Sequence, residues 1–351
     1  MAGAWGLFYQ EVYLMKILFI FTGGTIGSTR HKNVISPDGN KSRKLIEEYA
    51  LRFGIDFRYS VLEPYTELSE NNTGEHIKKL ALCVLDNLNK DYDGIIATHG
   101  TDTLQYSAAA LGYAVGSSSI PVCIVSANRP VEDKKSNALD NLRAAVKFIE
   151  KGYGKGVFVP YKNEKDDFTK LHRATRLVAS RAFSDEVASI FGSEIGYFDK
   201  NFVFHRNDDY KEAADSIPTL DISKLSEASD KILVLPCYVG MSYPALDKNT
   251  KYVILSSYHS GTVNTKSQSA LDFFSRAKEL GIKVYLTGVN TAPKYESATL
   301  FETLGIIPLK NISPIASYVK LWLICCNNEA EEKLFESLSG DISAKDYSLT
   351  Y

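Results

Sequence analysis

Four short apolar runs, each followed by a turn and then a helix-forming stretch, constrain this chain most. They are Lys16–Phe21, Asp93–Thr98, Pro121–Ser126 and Gly156–Tyr161. Runs this short and continuously apolar are strands buried on both faces, the mark of a parallel sheet covered by helices. The intervening stretches carry helical patterns: Lys44–Phe53, Thr73–Leu88, Thr101–Val115 and Asn137–Ile149. Strand and helix in alternation give an α/β fold, a larger N-terminal doubly wound, mostly parallel sheet. A strand at Ile55–Leu62 joins the same set. After a charged, weakly patterned stretch, strands at Ile232–Pro236, Tyr252–Ser256 and Lys283–Thr287 recur with helices at Ser269–Leu280, Ser313–Cys325 and Glu329–Leu338. This predicts a smaller C-terminal α/β domain. The boundaries are a possible extension at 1–14, an N-terminal domain at 15–204, a linker at 205–229 and the C-terminal domain at 230–351.

At 351 residues the chain is comfortable for two domains. Its formal charge of −2 gives no electrostatic footprint for nucleic acid. No apolar run approaches the roughly 18 residues a membrane span needs. The five cysteines show no C-x-x-C spacing and read as reduced thiols of a cytoplasmic protein. Residues 1–14 lack a basic start and a cleavage site, so they make a poor signal peptide. His76 reads as a surface histidine on its helix.

The chemistry is expected where strands end. Ligands of open α/β sheets sit outside the carboxyl ends of the strands. One such end reads Thr98-His99-Gly100-Thr101-Asp102-Thr103-Leu104; another reads Thr22-Gly23-Gly24-Thr25-Ile26-Gly27-Ser28. The second is neither a dinucleotide fingerprint nor a P-loop, because G-x-G-x-x-G and G-K-[ST] are both absent. It is a Gly-rich turn that presents Thr25. Ser28–Arg43 reads as a polar loop, over a site or plainly on the surface. A hydroxyl is a weak nucleophile and needs help to lose its proton. Two threonines with an adjacent carboxylate can divide attack, proton relay and the gripping of an ammonium group, while backbone N–H groups hold an oxyanion. That is amide or ester hydrolysis without metal or cofactor. On spacing alone, Thr101 and Asp102 serve equally well as caps of the following helix.

TGGTIGS at Thr22–Ser28 together with THGTDTL at Thr98–Leu104 resembles the bacterial-type L-asparaginase family. SANRP at Ser126–Pro130 and TKLHRATR at Thr169–Arg176 fit as well, and the likeness runs from Met15 over nearly the whole chain. Tyr295-Glu296-Ser297-Ala298 and Val319-Lys320-Leu321 resemble the cytoplasmic type I branch. The resemblance implies Thr25 as nucleophile, Thr101 as its activator, Asp102 as the anchor of the substrate α-amino group and Ser69 as the grip on its α-carboxylate. Glu70 beside it, and Gly24 and Gly100 at the two turns, complete the implied substrate-binding set. It also implies a homodimer or homotetramer acting on a small-molecule amide.

Two departures stand out. The family's loop tyrosine has no counterpart in Arg30–Ile35, and the position of its catalytic lysine falls near Ala179, in Leu177–Arg181, where no lysine stands. Arginine nearby is no substitute, since it does not give up its proton. Lys170 would fill the lysine position only with a shifted alignment. The leading expectation is an amidohydrolase releasing ammonia from L-asparagine or a related small amide, with His31 or His172 as conceivable stand-in bases. The safer reading of His172 is a surface histidine. The alternative is a catalytically impaired amino-acid-binding protein on the same scaffold. A third, an ammonia-supplying amidotransferase component, ranks below these because the chain shows no extra N-terminal domain and no basic face.

Overall fold

A computed structural model describes residues 14–24, 28–31, 34–37, 42–210, 220–290 and 295–344, with backbone alone at 28–31, 34–37, 42 and 43. Its larger sheet has eight strands. They are β1 (Lys16–Ile20), β4 (Arg58–Leu62), β5 (Gly94–Thr98), β6 (Pro121–Val125), β7 (Gly156–Tyr161), β8 (Thr169–Arg173), β9 (Gly196–Phe198) and β10 (Phe204–Arg206). A separate hairpin pairs β2 (Ser28–His31) with β3 (Val34–Pro37). The expected polar loop is therefore partly strand, in keeping with the β-branched Thr29, Val34 and Ile35.

The strand order is β10-β9-β8-β7-β6-β5-β1-β4. From β7 to β4 all pairings are parallel. The chain leaves β1 toward β4 on one side and returns as β5 on the other. The order thus reverses at β1, and the crevice between the ends of β1 and β5 is the switch point where such sheets take ligands. The fold class matches expectation. The antiparallel β8, β9 and β10 were not foreseen, because the polar residues of 163–184 hid a buried strand.

Helices α1 (Ser42–Phe53), α2 (Gly74–Leu85), α3 (Leu104–Val115) and α4 (Ala138–Lys151) cover this sheet. In α1, Leu45, Ile46 and Tyr49 are buried, one face of a 3.6-residue period. Helix α3 is lined with small residues and buried all round, because it lies between the sheet and α7 (Pro314–Asn327).

The smaller sheet runs β11 (Ile232–Pro236), β12 (Tyr252–Ser256), β13 (Lys283–Val289) and β14 (Ile306–Lys310), all parallel. It carries α5 (Gln268–Glu279) and α6 (Phe301–Leu304). β14 escaped the sequence reading because Pro308 interrupts it; at the sheet edge a missing N–H is tolerated. The helix expected at Glu329–Leu338 is a single 3-10 turn at Glu331–Phe335. Lys320 takes the Glu336 carbonyl as acceptor, so that group serves a tertiary contact.

One apolar core runs through both parts of the molecule, from Leu18, Ala97 and Leu111 to Ile232, Leu309, Leu321 and Leu334. A C-terminal strap seals it. Thr175 Oγ1 donates to the Ser339 carbonyl (2.9 Å) and Arg176 Nε to that of Gly340 (2.7 Å). Tyr113 donates to Asp341 (2.8 Å), which also pairs with Lys320 at 2.9 Å.

Candidate active site at the sheet crevice

Three chain segments meet at the carboxyl ends of β1, β4 and β5. Thr22 Oγ1 donates to the Thr98 carbonyl at 2.7 Å, tying the ends of β1 and β5. Beyond β4, Glu67 N donates to the Thr22 carbonyl and Gly24 N to the Glu67 carbonyl, both at 3.1 Å. The backbones approach closely enough to need glycine. Gly24 has φ +75°, and a Cβ there would stand 2.5 Å from Gly100 N. A Cβ on Gly100 would stand 2.5 Å from Ser69 Oγ. The crevice thus brings together Gly24, Gly100, Ser69 and the start of Thr101-Asp102. Thr25 lies outside the described residues. Glu70 is exposed beside the buried Ser69.

A buried polar network fixes these turns. His99 is fully enclosed, and its Nδ1–H faces the Gly100 carbonyl at 2.8 Å. Its Nε2 then accepts from Asn72 Nδ2 at 3.3 Å. Burial pulls the imidazole below its usual range, so it stays neutral and holds that tautomer. Asn72 Nδ2 also reaches Thr103 Oγ1 (3.3 Å), and that hydroxyl donates to the Ser69 carbonyl (2.8 Å). Thr103, not Thr101 or Asp102, occupies the N-cap position of α3, and no side chain caps that helix. Thr101 and Asp102 are left facing a cavity. Asn72, His99 and Thr103 were not singled out; their signal was polarity at strand ends.

The cavity measures 690 Å³. Thr101 and Asp102 form one wall. The others come from Tyr161 at the end of β7, from Asn163–Asp166 beyond it, and from Ser180–Val187. Asn141 and Asn137 set the position of β7's end: Lys162 N donates to Asn141 Oδ1 (2.8 Å), and Asn137 Nδ2 donates to the Lys162 carbonyl (2.8 Å). Buried Asn163 then zips on the outer loop, accepting from Val187 N (2.9 Å) and donating to its carbonyl (3.2 Å). Ala179, exposed next to this wall, stands one residue before Ser180.

His172 is a correction to the surface reading. It is completely buried on β8, with Nδ1 against Ser189 Oγ at 2.9 Å, and burial holds its pKa down at about 3. A group so reluctant to take a proton is a poor base at neutral pH. Lys170, on the same strand, pairs with Asp166 (3.4 Å) and Glu194 (3.7 Å). The His31 side chain lies outside the described residues. His76 is half-buried and closes a capping box with Thr73. Among the described residues no group of three or more His, Cys, Asp or Glu side chains could hold a metal ion, and no helix is long and apolar enough to cross a membrane.

The profile of the family described as Asparaginase, N-terminal, matches residues 16–209, more than half of the chain. The chain belongs to the asparaginase family. Its matched region contains the whole crevice. Solved asparaginase structures share its architecture. The thermostable L-asparaginase from Thermococcus kodakarensis superposes with a TM-score of 0.74 at 21% identity, covering 94% of this chain and 100% of that one. L-asparaginase I from Vibrio cholerae gives 0.72 at 20% identity, again covering 94% and 100%.

Curated relatives include archaeal proteins named as a subunit of glutamyl-tRNA(Gln) amidotransferase. The one from Methanosarcina mazei is 28% identical over 355 residues, which is 94% of this chain and 79% of that protein. The one from Methanosphaera stadtmanae is 26% identical over 290 residues, 79% of this chain. There the match spans 64% of the relative's length.

Proposed function

We propose that this asparaginase-family chain is an amidohydrolase that releases ammonia from L-asparagine or a related small amide. The observation that carries the reading is the meeting of Gly24, Ser69 and Gly100 at the switch point, with Thr101 and Asp102 facing the adjoining cavity. In this reading the Thr25 hydroxyl attacks the amide carbonyl. Its proton passes, by way of Thr101, to the departing nitrogen. Ammonia leaves, and water then cleaves the acyl ester to free the acid and restore the hydroxyl. Asp102 holds the substrate ammonium group, and Ser69, with Glu70 beside it, orients the carboxylate. Backbone N–H groups at the start of the helix after Thr101-Asp102 hold the oxyanion, since that of Gly24 is already given to the Glu67 carbonyl. A type I, cytoplasmic assignment draws support from two structural neighbours, L-asparaginase I from Vibrio cholerae and a probable cytoplasmic L-asparaginase from Campylobacter jejuni. A homodimer or homotetramer belongs to the same reading, as does a two-domain division near 205–229. Ammonia release from asparagine, glutamine and other ω-amides by pure protein tests it. No release at high enzyme concentration sinks it.

Two observations favour other roles. Ala179 at the family's lysine position favours a scaffold that binds an amino acid without turning it over; calorimetric binding of aspartate or asparagine without turnover would establish this. The naming of the curated relatives favours an ammonia-supplying component that works with a tRNA-charging partner. Ammonia release that rises only with a co-purifying partner and glutamyl-tRNA would establish that one.

A further inference from the structure

His99 is fully buried and is not among the residues that wall the cavity. Its use therefore lies in what it holds. Its Nδ1 lies 2.8 Å from the Gly100 carbonyl, which can only accept, so Nδ1 carries the ring's hydrogen. Burial pulls the imidazole below its usual range and keeps it neutral, which leaves Nε2 a bare acceptor. The Asn72 amide meets that acceptor at 3.3 Å. The second Asn72 hydrogen reaches Thr103 Oγ1 at 3.3 Å, and Thr103 donates to the Ser69 carbonyl at 2.8 Å. One amide thus ties the Ser69 turn to the Gly100 turn, and each hydrogen along the way has a fixed direction.

A trans peptide is planar, with its C=O and N–H on opposite sides. The Gly100–Thr101 peptide is trans, since the described residues hold no cis bond. Its carbonyl turns inward to His99, so the Thr101 N–H points away from the buried ring. No described residue accepts from that N–H, and Thr101 forms part of the cavity wall. It heads the run of N–H groups that enters α3, where an oxyanion finds its donors. We propose that His99 is a positioning residue: its bond to the Gly100 carbonyl aims the Thr101 N–H at the oxygen that gathers negative charge as the amide is attacked. Asn72 fixes His99 in the tautomer that this needs and, through Thr103, sets the Ser69 turn at the same time. The spacing between carboxylate grip and oxyanion donor is then built into side chains behind the site. The inference rests on the amidohydrolase reading and deepens it by naming what aims the donor.

The test is a pair of substitutions. Asparagine and leucine are alike in size and both place an atom where Nδ1 stands, but only asparagine can donate from it. His99→Leu should lower kcat for ammonia release from asparagine on the order of 10–100-fold, with KM little changed, because an oxyanion donor acts only as charge develops. His99→Asn should recover most of that loss. Both variants empty the same part of the buried site, so a merely structural role would move them together. Equal loss of kcat in both, or loss in neither, overturns the inference, while wild-type turnover keeps the amidohydrolase reading standing. No ammonia from the wild type removes that reading and this inference with it. Nitrogen NMR on the wild-type protein gives a second check that needs no variant to fold. At neutral pH the resonances assigned to His99 should show a protonated Nδ1 and a bare Nε2. A protonated Nε2 with a bare Nδ1 overturns the inference, since a bare nitrogen cannot donate to the Gly100 carbonyl.

Discussion

Gly24 and Gly100 sit backbone against backbone, so close that a single methyl group on either would overlap a neighbour. On Gly100 that methyl would stand 2.5 Å from Ser69 Oγ and 2.7 Å from Ser69 Cβ. Gly100→Ala should therefore destabilise by about 1–3 kcal/mol, as overpacking does. A urea midpoint reads the loss. Ser69→Gly in the Gly100→Ala background should recover part of it, because it removes both atoms that the methyl meets.

Ala179→Lys tests the missing base directly. The position is exposed and stands one residue before Ser180 of the cavity wall, so a lysine fits without repacking. Steady-state ammonia release should rise on the order of 10²-fold, the scale of a positioned general base. A new basic limb should appear in the pH–rate profile. An unchanged rate would mean that the lysine position lies elsewhere.

Thr101→Val and Asp102→Asn should fail in different ways. The first removes a hydroxyl that acts as the reaction proceeds, so kcat should fall on the order of 10²–10³-fold. The second weakens the grip on the substrate ammonium, so KM should rise while kcat falls less. Initial rates over a range of asparagine concentrations distinguish them.

His172 gives the fold an acid limit. Its folded pKa of about 3 lies below the unfolded 6.5, so unfolding takes up a proton. Stability is then whole above pH 6.5 and is lost as pH falls from 6.5 toward 3, at about 1.4 kcal/mol per pH unit. Buried His99, shifted in the same direction, adds to the slope. Urea midpoints between pH 7 and 4.5 should show the decline, and His172→Asn should flatten it by about one proton's worth.

Lys320 and Asp341 form an ion pair with both side chains fully buried. Lys320→Met leaves the carboxylate with Tyr113 and the Leu338 amide but without its cation. The expected cost is about 3–5 kcal/mol, the usual penalty for orphaning a buried charge. Thermal unfolding should show a lower Tm, and replacing both partners by apolar residues should cost less than the single change.

Strands β1, β5, β6 and β7 of the large sheet were legible because each is buried and apolar on both faces. Ile95-Ile96-Ala97 and Val122-Cys123-Ile124 can hardly be anything else. β8 was not legible. Thr169-Lys170-Leu171-His172-Arg173 looks like a solvated basic stretch, yet Leu171, His172 and Arg173 are buried. His172 Nδ1 and Arg173 Nη1 reach distant partners, Ser189 and the Lys155 carbonyl, which local patterning does not reveal. The crevice was foreshadowed by its glycines and hydroxyls. The outer cavity wall was not, because Asn163 finds Val187 only after β8 has turned the chain back. Ala179 was visible solely as a departure from a family pattern.

The C-terminal strap also has a consequence for synthesis. The carbonyl that accepts from Arg176 lies 164 residues further along the chain, at Gly340. At about 5–20 residues per second a ribosome needs roughly 8–33 seconds to add that span. Throughout that interval the nascent N-terminal half holds a guanidinium whose final acceptor has not yet been made. The packing around Arg176 therefore cannot be completed until translation has passed Gly340.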